Sequence, residues 1–378
     1  MAGFLVVAVG AGAAAGCNGG SSTRSNAPNS GSNAGSGADS GSNPQASNAP
    51  DGSPDPNGNG NGDGNPTPGS CTVSALLVPS CGAWLGSSTP SNDGKFDYSV
   101  GLAEYEAVAQ NPPDILHFYK RNAEVFPNSS EIALSERPGR QRALLLYNWK
   151  PSTTLTWRQI ANGRADDAIA SVAANIKAYP RRFFLALYHE PENDLGGPNS
   201  GMTPTDYVDM YRHVVGRLDE LGVTNAVYVM NYMGFNQWAD VVDPLYPGDD
   251  VVDWIAYDPY GREDHTDLES LLNRPDETGW PGFYDWATNK APGKPIMLAE
   301  WGINLLDQPD APAVLDGGAQ VIEEQFPMIK ALVYWNSRGP GMEPRIDQDG
   351  DLGTEFGQSY ANFANSPYFN LTTPDDAP

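Results

Sequence analysis

FFLALYHEPEND, residues 183–194, is a run of five apolar positions and a tyrosine that passes directly into histidine, glutamate, proline, glutamate, asparagine and aspartate. The run is too short for a core helix and apolar at both parities, which is how a strand buried on both faces reads. Seven other segments share its texture: GAWLGSS (82–88), DILHFY (114–119), RALLLYNW (142–149), NAVYVMNY (225–232), VDWIAYD (252–258), PIMLAEW (295–301) and KALVYWNS (330–337). Amphipathic stretches lie between them, most clearly residues 156–179 and 203–222. The second of these offers Thr203 as N-cap with Asp206 three residues on, and Gly222 as its stop. Alternation of strand and helix permits a doubly wound sheet or a barrel. A count of eight, with no glycine-rich phosphate turn after the first run, favours a single α/β domain, a (β/α)8 TIM barrel.

The 378-residue chain carries 47 acidic against 22 Lys and Arg residues, a formal net charge of −25. Phosphate contacts need clusters of Lys and Arg, so no nucleic-acid partner is expected. Residues 1–17 read as a signal peptide: a short apolar run, then small residues and a cysteine. Their ending, AAAGC, resembles a bacterial lipobox with Cys17 as the lipidated residue, although no Lys or Arg precedes the apolar run. The expected location is the cell surface as a lipoprotein, with free secretion as the alternative. The membrane would then be touched only through the lipid anchor. Residues 18–70 are almost wholly Gly, Ser, Asn, Pro, Ala and Asp, too poor in apolar surface to offset ordering entropy, and read as a disordered linker. The barrel domain is placed at 71–378. With Cys17 assigned to lipid, Cys71 and Cys81 remain as a pair ten apart, and a local disulfide is expected in an oxidising compartment.

In a TIM barrel the C-terminal strand ends carry the chemistry. Here they offer Asn148, Trp149 and Lys150; His189, Glu190, Glu192 and Asn193; Asn231 and Tyr232; Tyr257, Asp258 and Tyr260; Glu300, Trp301 and Asn304; and Trp335 and Asn336. The inventory is carboxylates, aromatics and amides, with no metal-ligand cluster and no nucleophile-elbow serine. No cofactor and no metal are expected. The acidic stretch DQDGDLG (347–353) has its glycine misplaced for a calcium loop and reads as a turn. Aromatic faces stack on sugar rings, amides and carboxylates bind hydroxyls, and two glutamates across a cleft are what glycoside hydrolysis requires.

LALYHEPEND and PIMLAEWGI, whose glutamates Glu190 and Glu300 are 110 residues apart, resemble the acid/base and nucleophile motifs of clan A glycoside hydrolases. Most of that clan has asparagine before the acid/base glutamate. His189 in that place, with VDWIAYDPYG, is similar to glycoside hydrolase family 26, which includes β-mannanases. The resemblance spans roughly residues 80–365. It implies a retaining double displacement with Glu300 as nucleophile and Glu190 as acid/base. It also implies His189 orienting Glu300 or binding a sugar hydroxyl, and Tyr260, or else Tyr257, bonding the nucleophile. Trp335 would floor the cleavage subsite, Trp301 and Trp149 would be further platforms, and Asp258 and Asn231 would contact substrate. The implied partner is a β-linked polysaccharide or oligosaccharide, with β-1,4-mannan favoured over β-1,3-xylan or mixed-linkage glucan, acted on by a monomer. A non-catalytic glycan-binding lipoprotein is the other class of reading, and it has no need for both glutamates.

Overall fold

The computed structural model describes residues 71–371, apart from 92 and 94. Cys17, the leader and the linker lie outside the described residues. All eight apolar runs form strands: β1 (Trp84–Ser88), β2 (Ile115–Arg121), β3 (Leu144–Lys150), β4 (Phe183–Leu187), β5 (Ala226–Tyr232), β6 (Trp254–Tyr257), β8 (Ile296–Ile303) and β9 (Ile329–Trp335). A two-residue strand, β7 (Tyr260–Gly261), falls between the sixth and seventh runs and pairs with Gly302 and Ile303. Every pairing between these strands is parallel, in the order β6-β5-β4-β3-β2-β1-β9-β8, and a β6–β8 pairing closes the ring. The fold is a (β/α)8 barrel.

Strand periodicity decides which side chains meet. Leu144 and Leu146 of β3, Val227 and Val229 of β5, Trp254 and Ala256 of β6, and Ala331 and Val333 of β9 fill the lumen. Their neighbours Leu145, Tyr147, Met230, Tyr232, Ile255 and Tyr334 point outward into the layer of helices. Each large apolar side chain so buried contributes about 1.5–3 kcal/mol. Gly86 of β1 cannot be larger, because a Cβ there would lie 2.7 Å from Ile115 Cβ and 3.1 Å from Val333 Cγ2.

The lumen is stoppered at its N-terminal end. A disulfide joins Cys71 and Cys81, with 5.6 Å between their Cα atoms, and the loop it closes presses Leu77 onto the barrel. Two lumen tryptophans tie that loop down: Trp84 Nε1 donates to Leu77 O at 2.8 Å and Trp254 Nε1 to Leu76 O at 2.7 Å.

The helices follow their caps. In Pro204–Glu220, Thr203 Oγ1 accepts from Asp206 N while Asp206 Oδ2 accepts from Thr203 N, a reciprocal capping box. Gly222, at φ +79°, turns the chain out of that helix. Residues 156–179 form two helices, Trp157–Ala161 and Asp166–Ala178, because Gly163 at φ +81° interrupts them.

Candidate active site

At the end of β4 the pleat is broken on purpose. Tyr188 and Glu190 both adopt left-handed backbone, at φ +55° and +52°, on either side of His189. Such a conformation costs a non-glycine residue about 1–2 kcal/mol. Bonds to both neighbouring strands hold it: Tyr188 N donates to Trp149 O at 3.0 Å, and Glu190 N to Asn231 O at 2.9 Å. Residues Pro191–Asp194 then form one 3₁₀ turn. Glu192, in that turn, accepts from Met233 N at 2.9 Å and Gly234 N at 3.2 Å, tying the turn after β4 to the one after β5.

Glu300 reaches the rim through an irregularity in β8. Leu298 pairs with Leu332 but Trp301 pairs with Tyr334, so β8 carries one extra residue across that interval. The bulge lets Glu300 and Ala299 both face inward while Trp301 turns outward. Glu300 N donates to Asp258 Oδ1 at 2.8 Å, and Asn231 Nδ2 donates to Asp258 Oδ2 at 2.9 Å. Two phenols serve the carboxylate of Glu300. Tyr119 Oη donates to Oε1 at 2.8 Å and Tyr260 Oη to Oε2 at 2.9 Å.

Both glutamates are buried, Glu190 and Glu300 each at 6% exposure. Burial pushes Glu300 up to about 7, while the Tyr119 and Tyr260 hydroxyls pull it back toward the anion. Glu190 is driven well above the ordinary carboxyl range, first by burial, then by the charges of Glu300 and Glu192. Its polar support is slighter: Asn193 Nδ2 donates to Oε2 at 3.2 Å, and Lys150 opposes the rise. Lys150 itself is paired with Asp194 at 2.9 Å and lies 4.5 Å over the Tyr188 ring. His189 has a buried Nδ1 without a hydrogen-bond partner, and burial, then the charge of Lys150, hold its protonation well below the usual imidazole range. Burial likewise pushes Glu192 up to about 7.

The structure thus brings together Glu190, Glu300, His189, Tyr260, Asp258 and Asn231. Trp335 stands at the same rim, half-buried, its ring edge-on to Tyr260 with centroids 6.0 Å apart. Asp258 and Asn231 are wholly buried and support Glu300 from behind, which leaves them no surface for a sugar. Those two expectations, of substrate contact, are corrected, and so are three more. Trp149 points outward, donates from Nε1 to Asn122 O and packs on Phe126, so it is no platform. Trp301 is sealed among Tyr334, Tyr360 and Phe363 in the helix layer. Tyr257 donates to Leu272 O at 2.7 Å and stacks on Phe283, away from Glu300. In these last three, strand alternation, or the β8 bulge, turns the side chain away from the lumen.

Tyr119 is the site residue that sequence reasoning missed. A signal was present: Ile115, His117 and Tyr119 share one parity of β2, and Ile115 lines the lumen, so a tyrosine at the top of that row faces the rim. His117 sits below it, fully buried, its ring 4.6 Å from that of Tyr119, and burial lowers its pKa to about 3. His213 pairs with Asp166 on the helix layer and takes no part.

Comparison with known proteins gives a consistent picture. The family model described as Glycosyl hydrolase family 26 matches residues 157–273. Endoglucanase H of Acetivibrio thermocellus is 30% identical over 125 residues, which are 31% of this chain and 14% of that protein. The chain therefore spans about one-seventh of that relative. Among solved structures, a ruminal GH26 endo-β-1,4-mannanase superposes with TM-score 0.54 at 16% identity, over 78% of this chain and 66% of that one. A mannanase of Bacillus subtilis superposes with TM-score 0.51 at 12% identity, over 77% and 86%. At such identities the structural likeness speaks for the fold.

Proposed function

We propose that this chain belongs to glycoside hydrolase family 26 and is a retaining β-glycanase that cleaves β-1,4-mannan-type polysaccharide by double displacement. What carries the reading is the unequal treatment of two buried glutamates. Glu300 receives a hydroxyl donor on each oxygen, which favours the anion a nucleophile must be. Glu190 sits beside two other carboxylates with one amide donor, which favours the protonated acid.

In the first step Glu300 bonds to the anomeric carbon as the bond to the leaving oxygen breaks, and Glu190 gives that oxygen its proton. In the second, water attacks the same carbon and gives a proton to Glu190. The electron pair of the glycosyl ester returns to Glu300. In this reading neutral His189 bonds a sugar hydroxyl and Trp335 stacks beneath the ring being cleaved. A second substrate reading, a β-glucan, of which mixed-linkage glucan is the form tested below, is supported by the likeness to a protein named an endoglucanase.

Product chromatography on mannan, glucomannan, lichenan and β-1,3-xylan tests the proposal, with Glu190→Ala and Glu300→Ala alongside. Sugar released from mannan by the wild type alone supports it, and release from lichenan alone moves the substrate to glucan. Binding without release from any glycan would leave a binding protein and sink the enzyme reading. We also place the protein at the cell surface through lipid on Cys17. The Cys17→Ser variant should then appear in the medium, and its retention at the membrane would count against the anchor.

A further inference from the structure

Glu300 is clamped from two directions. Tyr260 reaches it from β7, the neighbour of β8, but Tyr119 comes from β2, three strands round the ring and 181 residues away in sequence. Tyr119 is seated for this task. Its ring lies against His117, with centroids 4.6 Å apart, and 5.7 Å from that of His189. Its hydroxyl has Glu300 Oε1 as acceptor, so the clamp is one phenol per carboxylate oxygen.

We propose that Tyr119 is a catalytic residue whose hydroxyl stabilises the Glu300 carboxylate as it departs from the glycosyl-enzyme, so that it acts chiefly on the second half of the reaction. The proposal rests on the double displacement argued above. In the first half Glu300 gives up negative charge as its bond to carbon forms. A donor to the free anion helps to place it and weakens slightly as the charge leaves. In the second half the starting point is a neutral ester, to which a phenol bonds weakly. As water attacks and the carbon–oxygen bond breaks, full charge returns to the two carboxylate oxygens and the phenol bond strengthens. Hydrogen bonds to charged groups are roughly twice as strong as those between neutral ones. That difference is realised only as the ester breaks, which is the condition for raising turnover.

The test is Tyr119→Phe in the full chain, which removes one oxygen and keeps the ring against both histidines. The substrates are dinitrophenyl β-mannobioside and β-cellobioside, whose good leaving group makes the first half fast. The expected kcat falls on the order of 10- to 100-fold. KM should fall with it, kcat/KM should change far less, and a burst of dinitrophenolate approaching one per enzyme should appear. Loss of the donor also raises the pKa of Glu300, so the acidic limb of kcat/KM should move upward by about one pH unit. Tyr257→Phe, which strips a buried phenol outside the site, controls for packing, and both variants are checked for an intact unfolding transition. Wild-type burst, kcat and pH limb in a folded Tyr119→Phe would overturn the proposal. So would kcat and kcat/KM falling equally with KM unchanged. A wild type that hydrolyses neither aryl glycoside nor any glycan would instead overturn the double displacement, and this proposal with it.

Discussion

The two ends of the barrel are built by opposite rules. At the N-terminal end a disulfide-closed loop lies against lumen tryptophans, and both indole N–H groups there find carbonyls. At the C-terminal end two residues are held left-handed, three carboxylates crowd together, and His189 keeps a buried nitrogen unpartnered. Polar groups are buried with partners when stability is the only demand. Left without partners, or driven far from their ordinary pKa, they mark where binding energy is meant to come from outside. On the proposed reading, one end of the same sheet is made to last and the other to react.

That contrast can be broken by experiment. Glu300→Gln should lower kcat by on the order of 10⁴-fold or more, while the unfolding midpoint at neutral pH rises, because a buried acid no longer competes with its own charge. Retained turnover, or a lowered midpoint, would mean that the polar end is structural after all. Replacing Cys71 and Cys81 together by serine should do the reverse. Chemical denaturation should show about 2–3 kcal/mol lost through the freed loop, with kcat of the folded protein unchanged.

Glu192 tests the C-terminal end through pH. Burial raises its folded-state pKa from 4.5 to about 7, so the stability it contributes is complete below 4.5 and lost as pH rises through about 7. Denaturation at several pH values should show wild type losing on the order of 3 kcal/mol relative to Glu192→Gln across that window. Parallel curves would remove Glu192 from the strained set. Smallest, and neutral between the ends, Thr203→Ala should cost about 1 kcal/mol through the lost helix cap and leave the pH profile untouched.

Much of this was legible in the residues. Eight short apolar runs gave the barrel because parallel strands are covered on both faces, and the Thr203–Asp206 box marked its helix correctly. Side-chain direction was harder. Trp149 and Tyr257 occupy the outward parity of strands whose lumen rows, Leu144–Leu146 and Trp254–Ala256, were readable, so alternation alone excludes them from the cleft. Trp301 was beyond reach, because a β-bulge leaves no local mark in PIMLAEW and reverses the alternation just where Glu300 stands. Tyr119 hid for another reason: its partner is far off in the chain, and only ring closure makes them neighbours. The same holds for Trp254 and the loop beneath it, which are 178 residues apart.

The link made by Glu192 has a mechanical meaning. With one carboxylate oxygen accepting from two successive amides of the next loop, the turn that carries Glu190 cannot swing without dragging the segment after β5. The turn after β4 and the turn after β5 are thereby joined into one unit. On the proposed reading, a polysaccharide bound there bends to suit the protein, and the distortion that glycoside cleavage demands falls on the sugar ring.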